Sequence, residues 1–233
     1  MSSAPALSAS PAAAPWRASA SPWLIAVAVM TATFMEVPDT TVVNVSLPHI
    51  AGNLSSTTEE ATWVLTSYLV ANAIVLPATG WLSSFFGRKR FLVTCIIIFT
   101  CASMLCGMAN SLGMLIVARI LQGLGGGALQ PISQAILLES FPPHKRGAAM
   151  AVFGLGVVCA PIIGPTLGGW MTDSYSWRWI FYLNLPVGIL ALFLISLFVE
   201  DPPYIRANRP PRIDFLGFGL LAFWIACLQI LLD

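Results

Sequence analysis

Charge is what this sequence has least of: Asp, Glu, Lys and Arg make up 9% of its 233 residues, against about 25% in soluble domains. A chain so poor in charge cannot clothe a water-facing surface, and a soluble globular fold is excluded. The charge that remains is balanced, with 11 Lys and Arg against 10 Asp and Glu. No basic field exists to grip phosphates, so nucleic acid is excluded as a partner. Histidine is scarce as well. His49 and His144 lie far apart with no Cys or carboxylate at ligand spacing, so neither a metal nor any other cofactor is expected. The five cysteines (Cys95, Cys101, Cys106, Cys159 and Cys227) all sit in apolar runs, where a thiol packs as a small hydrophobe. No nucleophile, base and orienting residue occur together, so an enzyme is not expected.

What is present is apolar. Hydrophobic residues make up 57% of the chain, and windows long enough to cross about 30 Å of hydrocarbon fall at Trp23–Leu47, Thr62–Leu82, Phe91–Ala109, Leu112–Leu138, Ala148–Met171, Ile180–Val199 and Phe215–Leu232. The fold class is therefore an all-α membrane protein with seven spans joined by short polar linkers. Residues 1–22, rich in Ala, Ser and Pro, read as a disordered tail, 23–199 as a six-helix bundle, 200–214 as a linker and 215–232 as a seventh helix. If the spans alternate, Arg17, Arg88, Lys89, Arg90, Lys145, Arg146, Arg206, Arg209 and Arg212 share one side, which makes that side and the amino terminus cytoplasmic. Trp63, Trp170, Trp177 and Trp179 fall near outer helix ends and Trp81 near an inner one, as interfacial belts require.

Three charges remain inside spans: Glu36 and Asp39 in the first and Arg119 in the fourth. Each costs about 2.5–3.5 kcal/mol at a helix centre, so such residues mark functional sites by default, here a proton or substrate relay. Counting from the outer ends at 1.5 Å per residue puts Asp39 about 12 Å deep and Arg119 about 10 Å deep, which predicts a pair. The same count sets Glu36 opposite Gln122. Pro38 interrupts the first span, and Gly123, Gly125, Gly126, Gly127 and Pro131 interrupt the fourth. Matched interruptions of this kind point to a binding site in secondary transporters.

Gly123-Leu-Gly125-Gly-Gly-Ala128 fits a dinucleotide fingerprint on paper, but it lies in an apolar span with no preceding strand. Small residues there, and at Gly164 and Gly168, instead predict close helix approach. In the fifth span, Gly154, Gly156, Pro161, Gly164, Pro165, Gly168 and Gly169 combine kink points with a small-residue face, which suits either a helix that bends or slides or one packed tightly in place.

Taken together these segments resemble the major facilitator superfamily, in particular its 14-helix drug:proton antiporter branch of EmrB-type multidrug exporters, from about Phe34 to Asp233. Asp39-Thr-Thr-Val-Val-Asn44-Val-Ser-Leu-Pro48 is similar to the first-helix signature, and Arg119-Ile-Leu-Gln122-Gly123-Leu-Gly125 to the fourth-helix motif. Gly156 to Gly169 resembles the antiporter motif, and Trp177 to Gly188 the start of the sixth helix. The turn Gly80 to Arg90, with Gly87, Arg88 and Lys89, resembles the superfamily's cytoplasmic loop, but Ser84 stands where the pattern has an acid, which questions the charge lock.

The resemblance implies proton-driven efflux of amphipathic drugs and toxic compounds across the inner membrane, with the proton gradient as energy source. It assigns proton coupling to Asp39 and Arg119, to which helix geometry adds Glu36. It puts Asn44, Gln122 and Gly123 at the substrate cavity and the conformational switch in the fifth-span motif. It implies a membrane-fusion adaptor and an outer-membrane channel as partners. Because the branch has fourteen helices, the chain reads as an amino-terminal fragment whose second bundle is missing. Two other readings stand beside it: an exporter of one metabolite or siderophore, and a truncated membrane protein that does not transport.

Overall fold

The computed structural model describes residues 19–201 and 215–232; the expectations for the tail before residue 19 and for most of the 200–214 linker, including Arg17, Arg206, Arg209 and Arg212, fall outside them. Among the described residues every regular element is helical. The helices are α1 (Pro22–Asn53), α2 (Thr58–Phe86), α3 (Arg88–Gly107), α4 (Leu112–Gly126), α5 (Leu129–Ser140), α6 (Arg146–Ser174), α7 (Trp179–Tyr182), α8 (Asn184–Phe198) and α9 (Phe215–Leu232).

Local chemistry sets the starts. Pro22 opens α1, where its missing N–H is an orphan in any case. Thr57 and Glu60 cap α2 reciprocally, the Glu60 N–H donating to the Thr57 hydroxyl at 3.1 Å and the Thr57 N–H to the Glu60 carboxylate at 2.9 Å. The Ser111 hydroxyl accepts from the Met114 N–H and starts α4.

Several sequence expectations are corrected here. Pro38 does not interrupt α1, which runs unbroken through it, as α6 runs through Pro161 and Pro165. A membrane helix tolerates the backbone bond lost at a proline, here the one to the Phe34 carbonyl; separately, the Thr41 hydroxyl donates to the Pro38 carbonyl at 2.8 Å. The fourth span does break, at Gly127 and Ala128 between α4 and α5, and the sixth breaks at Leu183 between α7 and α8. The polar linker expected between the second and third spans shrinks to Gly87 alone, whose φ of +88° only a glycine adopts readily.

Among the described residues six helical segments are long and apolar enough to cross a membrane; α9, apolar over Leu216–Gln229, is shorter and lies against α2. The bundle is organised around α1, which touches α6, α8, α5 and α2, while α4 is seated between α2 and α3. Buried apolar side chains form two clusters, one around Ile25–Met35, Phe91–Phe99 and Leu129–Phe141, the other around Val42–Ala51, Ala61, Leu115 and Phe181. The stretch of α1 between them carries Glu36 and Asp39. Trp177, expected at the interface, is instead buried against Phe181, whereas Trp63, Trp170 and Trp179 are exposed.

Candidate functional site

The fourth-span charge is swallowed whole. Arg119 has no exposed surface, and the Asp39 side chain is 3% exposed. Arg119 Nη1 donates to Asp39 Oδ2 at 2.5 Å, confirming the pairing that depth predicted. Its Nη1 also donates to Gln122 Oε1 at 2.8 Å and its Nε to the Val64 carbonyl of α2 at 3.1 Å. The guanidinium lies 4.1 Å from the centre of the Tyr68 ring and 5.7 Å from that of Phe181, two aromatic faces that stabilise a cation where water is absent.

Gln122 is placed differently from the expectation. It does not face Glu36; its Nε2 donates to Asp39 Oδ1 at 3.1 Å, and Cys106 donates to its Oε1. Glu36 turns toward α2, where Asn72 Nδ2 donates to its Oε1 at 3.3 Å and also to the Tyr68 hydroxyl at 3.3 Å. Depth counted along a helix gives the axial level of a side chain but not its bearing, which explains the miss. Tyr68 and Asn72 had escaped notice because neutral residues raise no alarm in an apolar span. Asn72 is nevertheless the single asparagine of α2, one turn from Tyr68.

Close backbone approach makes the arrangement possible. A side chain at Gly123 would meet the Tyr68 carbonyl at 2.5 Å, and one at Gly127 would meet the Asn72 carbonyl at 2.4 Å. Without them α4 could not come near enough to α2 for Arg119 to reach Val64.

The fifth-span motif lies on α6 against α1. Cβ atoms at Gly164 and Gly168 would strike Thr41 and Val42, and one at Gly156 would strike Met30. Gly169 meets only Val45 at ordinary distance, Pro161 is half-buried and Pro165 is exposed, so the small-residue face narrows to three glycines. A cavity of about 310 Å³ opens between α1 and α6, lined by Met30, Phe34, Phe153 and Gly156 among others. Asn44 is exposed on α1 and takes no place in the Asp39 cluster.

At the helix ends around Gly87 the acid missing at Ser84 is replaced from a distance. Arg88 pairs with Glu139 at the end of α5, and Asp201 beyond α8 accepts from the Lys89 N–H at 2.7 Å, capping α3 beside Gly87. Lys89 Nζ also donates to the Ser196 carbonyl. Ser84 itself donates to the Trp81 carbonyl. Gly80 has open space around it and Arg90 is exposed.

The family profile described as Major Facilitator Superfamily matches residues 8–231. The chain belongs to this family. It is 45% identical over 210 residues to the multidrug export protein EmrB of Escherichia coli K12, a match covering 90% of this chain and 41% of that protein. It is 41% identical over 219 residues to the fatty acid resistance protein FarB of Neisseria gonorrhoeae, covering 94% of this chain and 43% of that one. The chain therefore spans about two fifths of the length of these curated relatives. Among solved structures it resembles a D-xylose-proton symporter with a TM-score of 0.68 at 18% identity, covering 90% of this chain and 54% of the other. That likeness carries the fold: this is a multi-pass membrane protein built as a facilitator-type helical bundle.

Proposed function

We propose that this bundle supplies one half of a proton-driven exporter of amphipathic toxic compounds, a transporter and not an enzyme. The observation that carries the reading is the buried group of Asp39, Arg119 and Gln122 with half-buried Glu36 one turn away, drawn from α1 and α4 and held at the seam between the two apolar cores. Ionisable groups in such a place are costly and serve ion pathways. Relatives named for multidrug export point the same way. The cation distribution along the sequence supports a cytoplasmic amino terminus; the reading adds an inner-membrane location, an adaptor and an outer-membrane channel as partners, and the proton gradient as the energy source.

In this reading Glu36, Asp39 and Arg119 couple protons, and Gln122 and Gly123 border the substrate path. Asn44, solvent-facing in the bundle, reaches the substrate only when a second bundle closes over α1. The glycines of α6 let that helix slide on α1 while the path changes sides. The rim pairs of Arg88 and Lys89 fix the inner ends.

The name of the fatty acid resistance protein favours a second reading, export of one class of amphipathic acid. The test is expression in an efflux-deficient strain of residues 1–233, alone and with a carboxy-terminal bundle on a second chain. Export of a cationic dye that needs both chains and collapses with a protonophore is expected. Undiminished efflux from a variant combining Glu36→Gln with Asp39→Asn would overturn the reading.

A further inference from the structure

The two carboxyls of α1 stand one turn apart but in unlike company. Asp39 is fully engaged: one oxygen takes Nη1 of Arg119 and the other takes Nε2 of Gln122. Arg119 is engaged in turn by Asp39, Gln122, the Val64 carbonyl and the ring of Tyr68. Its Nη2, buried, has no hydrogen-bond partner among the described residues, but a proton arriving on Asp39 would still have to break the bond from Nη1 and the charge pair.

Glu36 has no such cation. Its Oε1 accepts one bond from a neutral amide, and its Oε2, buried, has no hydrogen-bond partner among the described residues. The groups around it are Asp39 on its own helix and Tyr68 and Asn72 on α2, while the nearby cation, Arg119 on α4, is committed to Asp39. The flanking helices α5 and α6 carry charge only near their ends, at Glu139, Arg146 and Asp173, and α8 carries none. A buried carboxyl without a cation is neutralised by a proton. An oxygen with a free lone pair is where that proton goes.

We propose that Glu36 is the carboxyl that takes up and releases the exchanged proton, that Asn72 and Tyr68 are its positioning residues, and that Asp39 is the fixed counter-charge of Arg119. The proton adds to Oε2 as it arrives from water and leaves to water when the helices part; no bond other than O–H is made or broken. Asn72 holds the opposite oxygen still, and its second acceptor, the Tyr68 hydroxyl, ties it to the ring beneath Arg119. One helix, α2, thus touches both carboxyl systems, so a shift of α2 against α4 at Gly123 and Gly127 moves the Glu36 clamp and the Arg119 platform together. The inference rests on the proton-coupled reading above and sharpens it by separating the two acids.

Its test reads protons directly and does not require transport. The purified 233-residue chain in lipid is examined by infrared difference spectroscopy across the neutral pH range, where exposed carboxylates remain ionised. A band of a protonated carboxyl that appears and vanishes with pH is expected. Glu36→Gln removes it, whereas the double variant Asp39→Asn with Arg119→Gln, which leaves no unpaired charge, keeps it. Tyr68→Phe and Asn72→Ala move the band while retaining it, an effect that a purely structural role would not produce, and Glu36→Asp restores a band at a displaced position. The amide bands of the same spectra report whether each variant is folded. Absence of the band, or its loss in the Asp39→Asn, Arg119→Gln chain with helix content intact, overturns the proposal. Failure of efflux with these spectra as expected would instead count against the export reading alone.

Discussion

Two arginine–carboxylate pairs tie helices together in this bundle, and they differ in almost everything except composition. Arg119 and Asp39 meet between the apolar cores with 0% and 3% of their side chains exposed, and Gln122 and the Val64 carbonyl take up further bonds. Arg88 and Glu139 meet at one rim of the bundle with 26% and 24% exposed. Two charges 4 Å apart attract with about 1 kcal/mol in water and about 4 kcal/mol at an effective dielectric of 20. Environment therefore decides what each pair does. The inner pair is expensive to break and hard to hydrate, which suits a site whose charge state must be controlled. The rim pair is partly hydrated and screened by salt, which suits a surface tie between helix ends.

The sharpest way to break this comparison is to remove one inner charge. Arg119→Leu leaves Asp39 buried and unpaired, and a loss of about 3–5 kcal/mol is expected. Thermal or denaturant unfolding of the chain in detergent, followed by helical circular dichroism, measures it. Combining Arg119→Leu with Asp39→Asn should cost less than the two single losses added, by about 0.5–3 kcal/mol. Strict additivity would mean that the two charges do not sense each other.

Next in size is the seam that brings the inner pair together. Gly127→Val sets a branched side chain against the Asn72 carbonyl, which a Cβ alone would meet at 2.4 Å. Backbone cannot swing aside as a flexible side chain can, so an overpacking cost of about 1–3 kcal/mol or more is expected. Gly80→Val, at a glycine with open space around it, is the control and should change stability little. Equal losses at the two positions would show that helix propensity, and not close approach, governs the glycines.

These residues also show what a sequence discloses about such a site. The pairing of Asp39 with Arg119 was legible because two charges at one depth in a membrane have a single cheap solution, which is each other. The partner of Glu36 was not, since axial depth says nothing of bearing around the helix and since Asn72 carries no charge to betray it. The continuity of α1 through Pro38 was hidden because local rules treat proline as a breaker, while the packing of a long apolar helix outweighs one lost bond. The rim was hidden for another reason. Ser84 seemed to lack its acid, yet Glu139 and Asp201, 55 and 117 positions further along the chain, bring carboxylates to the same turn. Motifs read along the chain cannot see such substitutes.

At the rim the expected effects are smaller. Arg88→Gln should cost about 0–1 kcal/mol, as partly exposed pairs do. Raising salt should shrink the difference between wild type and variant toward zero, because screening acts on a wet pair and scarcely on a dry one. The same salt series applied to Arg119→Leu should leave its loss nearly unchanged. A salt-insensitive Arg88→Gln would place the rim pair in the inner pair's class and dissolve the contrast.

The smallest effect belongs to the outermost contact. Glu200, beyond α8, accepts from the Ser19 hydroxyl and from the Ser19 N–H ahead of α1, and these bonds hold its carboxyl below the usual range of about 4.3. A carboxyl lowered in the folded state contributes stability above its unfolded value and loses it as pH falls through the folded value. At neutral pH the Ser19 contact is therefore in place, and acid releases it. Glu200→Gln should remove that acid dependence while leaving the core untouched. Hydrogen exchange of the Ser19–Trp23 amides, followed as pH is lowered and corrected for intrinsic rates, reports it. Protection in wild type should fall below the usual carboxylate range and stay low at all pH values in Glu200→Gln. Identical profiles for the two chains would mean that the start of α1 is held by its apolar face alone.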